Sequence, residues 1–387
     1  MNTAANPQPE ALVIARGSPV YVGRTRHLIR LLSVDYKVTV IRERRADEAP
    51  GPVHIDGVPL VERQFPLPRK RWGFLRGTLG VLFLNAWILK KLLMGRYRIV
   101  VATDVHTALA PLFARWLKPF RLVYDSHEVM WALGSGSLLS GLYKLAENVT
   151  LRRCDLWLVP SATRAELVLR EQGLKRDYLV YWNLPVGHGQ AADRPRYRAR
   201  LEELGVPADR FIVIFQGSLI QGRGVEVLTE AARSARYHLL IQGRGSAPSA
   251  LQRKPHAGVT LLPPCENTEV CSWLSAADLS FVYYENNCVN SAHACSSKFY
   301  ASVFAGIPIL CNRLPAFVEF AEKHGGVVFF DDLDSSAINA QIEALVDNAV
   351  GYPALSEQMT RAREVLRAEF VRQTGEMRNV FRSWLAE

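Results

Sequence analysis

Short apolar runs recur along this chain, each closed by glycine, proline, serine or aspartate, and segments of helical spacing lie between them. Residues 12–15 (LVIA) read as a buried strand that stops at Gly17-Ser18-Pro19, and residues 24–32 read as a helix. Residues 36–41, 99–102, 121–124 and 155–159 continue the strand series, with helices expected around 107–117 and 163–172. Strand and helix in alternation predict a parallel sheet covered on both faces. The pattern breaks at Asn183-Leu184-Pro185 and the polar stretch 187–194. It restarts with strands at 211–215, 238–241, 259–262, 279–283 and 307–310. The expected architecture is α/β, with two doubly wound, parallel-sheet (Rossmann-like) domains facing a central cleft. The expected boundaries are a disordered leader over 1–10, a first domain over 11–188 and a second over 189–365. A C-terminal helix over 366–387 is expected to pack back on the first domain. In doubly wound sheets ligands bind outside the carboxyl ends of the strands, so the loops that follow them carry the candidate chemistry.

Composition keeps that picture and adds a charge asymmetry. Of 387 residues, 49% are apolar and 22% charged, which is enough to build two cores. The net charge is +10, yet residues 1–188 carry 27 Lys+Arg against 15 Asp+Glu, while residues 189–387 carry 20 against 22. The whole excess lies in the first half, and a one-sided basic surface calls for an anionic partner. The stretch 63–103 concentrates it. This stretch has nine basic residues, no acidic one, and thirteen uncharged residues between Arg76 and Lys90 that include Trp87. That run is too short for a membrane span, which needs about 20 apolar residues. It reads either as a helix lying on an anionic bilayer or as a core helix with basic ends. A nucleic-acid partner is not expected, because no basic motif is interleaved with aromatic residues. The start of the chain lacks a secretory signal, and six cysteines occur without CxxC pairs. Free thiols in a cytoplasmic protein, peripheral at the inner face of the cell membrane, fit that usage better than disulfides, and no metal site is expected.

The loop Gln216-Gly217-Ser218-Leu219-Ile220-Gln221-Gly222-Arg223-Gly224 joins a strand to a helix. Its glycines allow a tight turn, and a helix amino end with Arg223 beside it suits a phosphate. The same loop also reads as an ordinary turn with a surface arginine. Ser297 and Lys298 open another helix that leads to Ala305-Gly306-Ile307-Pro308. Alone, Lys298 is a solvated lysine. Paired with Arg223, it forms a two-cation clamp for a diphosphate leaving group. Gly243 and Glu285 follow strands of the same domain and are further candidates. In the first domain, Asp125-Ser126-His127-Glu128 closes a strand. His127 beside two carboxylates can donate to a sugar hydroxyl or shuttle a proton, while Asp125 or Ser126 can equally cap a helix. Gly17 and Ser18 close the first strand of the same domain, as Asp125 to Glu128 close a later one.

Together these segments resemble the GT-B class of retaining glycosyltransferases, most nearly the bacterial family-4 type. Arg24 and Arg26 followed by residues 36–41 are similar to that group's first βαβ unit, and residues 124–128 to its "YDxHE" segment. Residues 217–224 are similar to its "G-x-L-x-x-x-K-G" loop, with Arg223 in the lysine's place, and residues 297–308 to its "NKxxEYxxxGxP" segment. Two positions depart from the pattern. The family's two glutamates, which bind the donor sugar and the ribose, are His293 and Ala301 here. The resemblance implies a retaining, metal-independent transfer without a cofactor, the nucleotide-sugar being a co-substrate. It places that donor against Gly217, Ser218, Gly243, Glu285 and Ser297, with Arg223 and Lys298 stabilising the leaving group and His127 contacting the transferred sugar. The acceptor it implies is a lipid-linked or cell-surface glycan, entering a cleft lined by Gly17, Ser18, Asp125 and Glu128. The missing glutamates keep two other readings open: an inactive binding or assembly subunit of the same fold, and a nucleotide-sugar epimerase.

Overall fold

The computed structural model describes residues 8–15, 18–20, 22–44, 48–65, 73–132, 137–189, 193–234, 236–245, 258–348 and 351–386. The chain divides into two compact units, Met1–Trp182 with Val371–Glu387, and Asn183–Phe370. The first break falls after Trp182 rather than after 188, and the return to the first unit begins at Val371 rather than 366.

The first unit holds β1 (Glu10–Ala15), β2 (Lys37–Glu43), β3 (His54–Ile55), β4 (Val58–Arg63), β5 (Tyr97–Thr103), β6 (Arg121–Asp125), β7 (Leu156–Val159) and β8 (Leu179–Val180). Their order in the sheet is β3-β4-β2-β1-β5-β6-β7-β8. Every pairing is parallel except β3 with β4, a hairpin that the apolar pattern did not reveal. Ala11 to Ile14 are wholly buried, as expected of a strand covered on both faces, whose sequence is a continuous apolar run rather than an alternation. The helices are α1 (Gly23–Leu32), α2 (Gly73–Met94), α3 (Val105–Ala114), α4 (Ser137–Arg153) and α5 (Ala162–Gln172). Local chemistry sets the ends of α5. Ser161 Oγ accepts the Arg164 amide, and Gly173, left-handed at φ 61, lets the Leu174 amide reach the Leu169 carbonyl at 3.0 Å.

Trp87 decides what the basic stretch 63–103 is. It is 6% exposed and packs with Leu84, Ile88 and Leu92 against strand residues of the sheet. The inner face of α2 is therefore core, and the reading that laid Trp87 in a bilayer is corrected. Burial of about 200 Å² of aromatic surface in the core outweighs any interfacial position. Arg69, Lys70 and Arg71 lie outside the described residues. Among the described residues no helix is long and apolar enough to cross a membrane.

The second unit holds β9 (Phe211–Leu219), β10 (Tyr237–Gly245), β11 (Val259–Leu262), β12 (Leu279–Val282), β13 (Ile309–Asn312) and β14 (Val327–Phe330), all parallel, in the order β11-β10-β9-β12-β13-β14. Its helices are α6 (Arg194–Glu203), α7 (Val225–Ala231), α8 (Val270–Ser275), α9 (Val289–Ala292), α10 (Ser297–Ala305), α11 (Pro315–His324), α12 (Ser335–Val346) and the start of α13 (Tyr352–Ser383). The last residues of α13 belong to the first unit. Tyr36 Oη donates to the Phe381 carbonyl at 2.6 Å there, and Arg382 pairs with Asp35 at 2.9 Å. The strand order reverses between β1 and β5 in the first sheet and between β9 and β12 in the second. These switch points are where a doubly wound sheet opens a crevice at its carboxyl edge.

Candidate active site

At the switch point of the second sheet, Gly217 lies near the end of β9 with φ 147. A Cβ built there would fall 1.9 Å from Lys298 Cε, so the bare glycine is the slot through which the lysine stem passes. Lys298 comes from the first turn of α10. That helix begins where Ser296 Oγ accepts the Phe299 amide at 3.2 Å and ends at left-handed Gly306. Ser296 Oγ also accepts from Tyr284 Oη at 2.9 Å, and Asn312 brackets the Tyr284 backbone, accepting its amide at 3.3 Å and donating to its carbonyl at 2.9 Å. The tyrosine ring is thereby held still. Arg223 Cζ sits 4.0 Å from its centroid and Lys298 Nζ 5.4 Å away. Among the described residues neither cation has an ion-pair partner. Two cations gathered on one ring concentrate positive charge at this strand end.

Burial, and then the Arg223 charge, lower the Lys298 ammonium to about 7. A bound diphosphate stabilises the charged form and reverses that shift, so binding above pH 7 must take up a proton. Affinity for a nucleoside diphosphate should therefore fall by up to about tenfold per pH unit above 7. Calorimetric titration from neutral to alkaline pH checks this, and a flat profile would place Lys298 off the diphosphate.

Helix ends refine the sequence reading. α7, which follows the glycine loop, carries Glu226 in its first turn, whereas the first turn of α10 has no acid. The positive end open to an anion is that of α10, at Ser297 and Lys298. Gly243 pairs with Gly217 across β10 and β9, and a Cβ on it would meet the Gly217 carbonyl oxygen at 1.7 Å. Its role is to let the two strands close under the loop. Ser218 is exposed at the strand end. The Glu285 amide donates to the Gly222 carbonyl at 3.2 Å, which puts its exposed side chain beside the loop. Gly217→Ala would push the Lys298 stem out of its slot. The expected result is at least a tenfold loss of nucleotide affinity, read by titration, with folding monitored by circular dichroism.

The two departures from the glutamate pattern fall differently. His293 closes the short helix α9 and is half-buried. Ala301 is 2% exposed and packs with Trp273, Leu274, Ala305 and Ile307 in an apolar cluster. A glutamate there would be a buried, unpaired carboxylate. Ala301→Glu should therefore lower stability by about 3 kcal/mol or more rather than restore a ribose contact. A denaturation midpoint equal to that of the parent chain would refute this.

In the first unit, Asp125 at the end of β6 is wholly buried. Oδ1 accepts Arg24 Nε at 2.8 Å and Nη2 at 2.5 Å, and Oδ2 accepts His127 Nε2 at 2.8 Å. Burial alone would raise the carboxyl, but Arg24 and then His127 hold it well below the usual range. Burial alone would lower the imidazole, but the Asp125 charge and hydrogen bond raise it above its ordinary value. The Asp125 carboxylate thus favours the protonated ring of His127. The helix-cap alternative for this segment is corrected. Asp125 binds Arg24 and His127, and Ser126 Oγ accepts from Trp157 Nε1 at 2.9 Å. The loop is shaped by Asp104 instead. At an unusual φ of 58, its Oδ1 takes the amides of His127 and Glu128 at 2.8 and 3.0 Å. Arg164 Nη1 binds the His127 carbonyl. Glu128 is exposed and Ser18 half-buried, while Gly17 lies outside the described residues. Sequence reasoning missed Asp104 and Tyr284, and it used Arg24 only as a marker of the first βαβ unit. Nothing in the pattern separates Tyr284 from Tyr283. A buried strand-end aspartate requires a cation, and Arg24 supplies it.

Residues 17–183 match the family described as glycosyl transferase 4-like domain. Among solved structures, sucrose-phosphate synthase from Thermosynechococcus elongatus is similar over 98% of this chain and 99% of its own, at 16% identity and a TM-score of 0.71. HepE from Anabaena, in complex with UDP-glucose, is similar over 97% and 99%, at 14% identity and a TM-score of 0.72. A putative UDP-N-acetylglucosamine 2-epimerase from Listeria monocytogenes is similar over 93% and 95%, at 13% identity and a TM-score of 0.60. By sequence, no curated protein matches the chain. The family match covers the first domain, and the two parallel-sheet units together match structures of the GT-B fold.

Proposed function

We propose that this chain, a glycosyltransferase by its first domain, transfers a glycosyl group from a nucleotide-sugar to a lipid-linked or cell-surface glycan with retention of anomeric configuration. The observation that carries the donor half is the convergence of Arg223 and Lys298 on Tyr284 at the β9/β12 switch point. Diphosphate departure develops charge on the leaving oxygens. Fixed cations aimed there lower the barrier, removal of one such group typically costing about 2.7–4 kcal/mol. They fill the role a divalent cation would otherwise take, which supports a metal-independent reaction. HepE, solved with UDP-glucose on a similar fold, supports a nucleotide-sugar donor. His127, held against Asp125 through Nε2, would contact a hydroxyl of the transferred sugar. The preponderance of basic residues in the first half supports an acceptor at an anionic surface on the cytoplasmic side.

The test is a thermal-shift screen of the purified chain against UDP, GDP, ADP, dTDP and CMP and their sugars. The donor so found is then incubated with a lipid extract, and the anomeric configuration of the product is read by NMR with and without a chelator. Stabilisation by a nucleotide but no transfer would favour the non-catalytic binding subunit, for which the buried Ala301 and the histidine at 293 speak. The likeness to an epimerase fold motivates one further arm: isomerisation of the donor without acceptor would replace the transferase reading.

A further inference from the structure

Helices α2, α3 and α4 cover one face of the first sheet, and all three contribute to the same apolar cluster beneath them. Each lies on a crossover between parallel strands, so they run alongside one another and their carboxyl ends share one edge. Their outward stripes therefore face the same way. Those stripes are apolar: Phe83 and Met94 on α2, Phe113 on α3, Trp116 and Leu117 in the turn after it, and Leu145 on α4. Trp116 is 80% exposed and Met94 75%. A single exposed hydrophobic side chain needs no explanation, but a set spread over three adjacent helices marks a surface that something covers.

Charge identifies the cover. Across the sequences of α2, α3 and α4 the only carboxylate is Glu147, which is 2% exposed and accepts Tyr124 Oη and Trp131 Nε1 from within. The three helices thus expose no acid of their own, and the flanking Glu171 and Asp155 are paired with Lys144 and with Arg115 and Arg121. At the shared carboxyl edge, Lys90, Arg96, Arg152 and Arg153 are exposed. Pairing of this face with a second copy would oppose these cations to one another. A bilayer with anionic headgroups meets both features at once, taking the apolar side chains at its acyl boundary and the cations at its surface.

We propose that the outer face of α2, α3 and α4 docks on an anionic lipid bilayer, with Phe113, Trp116 and Leu117 entering the headgroup region and Lys90, Arg96, Arg152 and Arg153 meeting the headgroups. The inference rests on the reading of the chain as a transferase with a lipid-borne acceptor. It moves the membrane contact from Trp87, which is core, to α3 and its neighbours.

The test uses the full chain in flotation with vesicles of phosphatidylethanolamine and phosphatidylglycerol, and with vesicles of phosphatidylcholine alone. Nucleotide binding is followed in parallel by thermal shift. Binding to the anionic vesicles should exceed binding to the neutral ones at least tenfold. The triple variant Phe113→Ser, Trp116→Ser, Leu117→Ser should lose at least tenfold of it, and so should Lys90→Gln with Arg152→Gln and Arg153→Gln, both keeping the parental melting temperature. Equal binding to both vesicle types, or unaltered binding of both variants, overturns the proposal. So does a lipid-free dimer that the serine variant converts to monomer, because the face would then belong to a second copy. Loss of flotation with nucleotide binding intact sinks the docking alone. Flotation without any nucleotide binding sinks the transferase reading and leaves the docking standing.

Discussion

Replacing both Arg223 and Lys298 by alanine should weaken nucleoside-diphosphate binding by about 10²–10⁴-fold and abolish transfer, while the chain stays folded. A hydrogen bond to a charged group contributes about 1.5–3 kcal/mol, so the loss of two removes about 3–6 kcal/mol of binding. The fold should tolerate the change, because neither cation is engaged in an ion pair among the described residues and burial already penalises the Lys298 charge. The Lys298 contribution to stability has a definite sign. Its folded-state value, about 7, lies below the unfolded value, so stability lost to its burial is recovered as pH rises from about 7 toward 10. Titration calorimetry and a thermal melt separate the two effects. Near-normal affinity in the double variant would remove the clamp from the mechanism, whatever the melt shows.

Asp125→Ala should cost about 3–5 kcal/mol of stability, the largest single effect expected in the first unit. The substitution strands the Arg24 guanidinium, 1% exposed, with no carboxylate to answer it. It also frees the His127 ring, whose proton affinity should drop once the Asp125 charge is gone. Denaturant titration measures the first effect and an NMR titration of the His127 ring the second. An imidazole that titrates as before would mean that Asp125 does not hold it. The pH dependence follows from the two directions. The Asp125 contribution is present above the unfolded carboxyl range, about 4, and is lost as pH falls through its depressed value. The His127 contribution is complete below about 6.5 and is lost as pH rises through its raised value.

How far the site was legible can be traced residue by residue. Arg223 and Lys298 were visible because glycines and a helix start bracket them at a strand end, and that is a local signal. Gly217 was visible as a glycine but not as the slot for Lys298, a residue 81 positions further on. Asp125 and His127 stood out as a strand-end cluster, yet their spacing could not say that an arginine from α1 would neutralise the aspartate. The place of Trp87 stayed open for a related reason. Basic ends around an apolar run describe a core helix and an interfacial helix equally well, and only the sheet beneath α2 separates them.

The sequence by itself determined the alternation of strand and helix, the two repeats of it, the charge asymmetry and the identity of the cations at the strand ends. These are short-range or additive properties: apolar periodicity, turn chemistry and a sum of charges. Only the tertiary structure decided which glycine meets which lysine, that Tyr284 gathers two cations, that Arg24 and Asp125 neutralise each other, and that Ala301 is core. Those outcomes depend on strand order and on which helix face turns inward. Both are set by packing between segments far apart in the chain, to which local pattern carries no information.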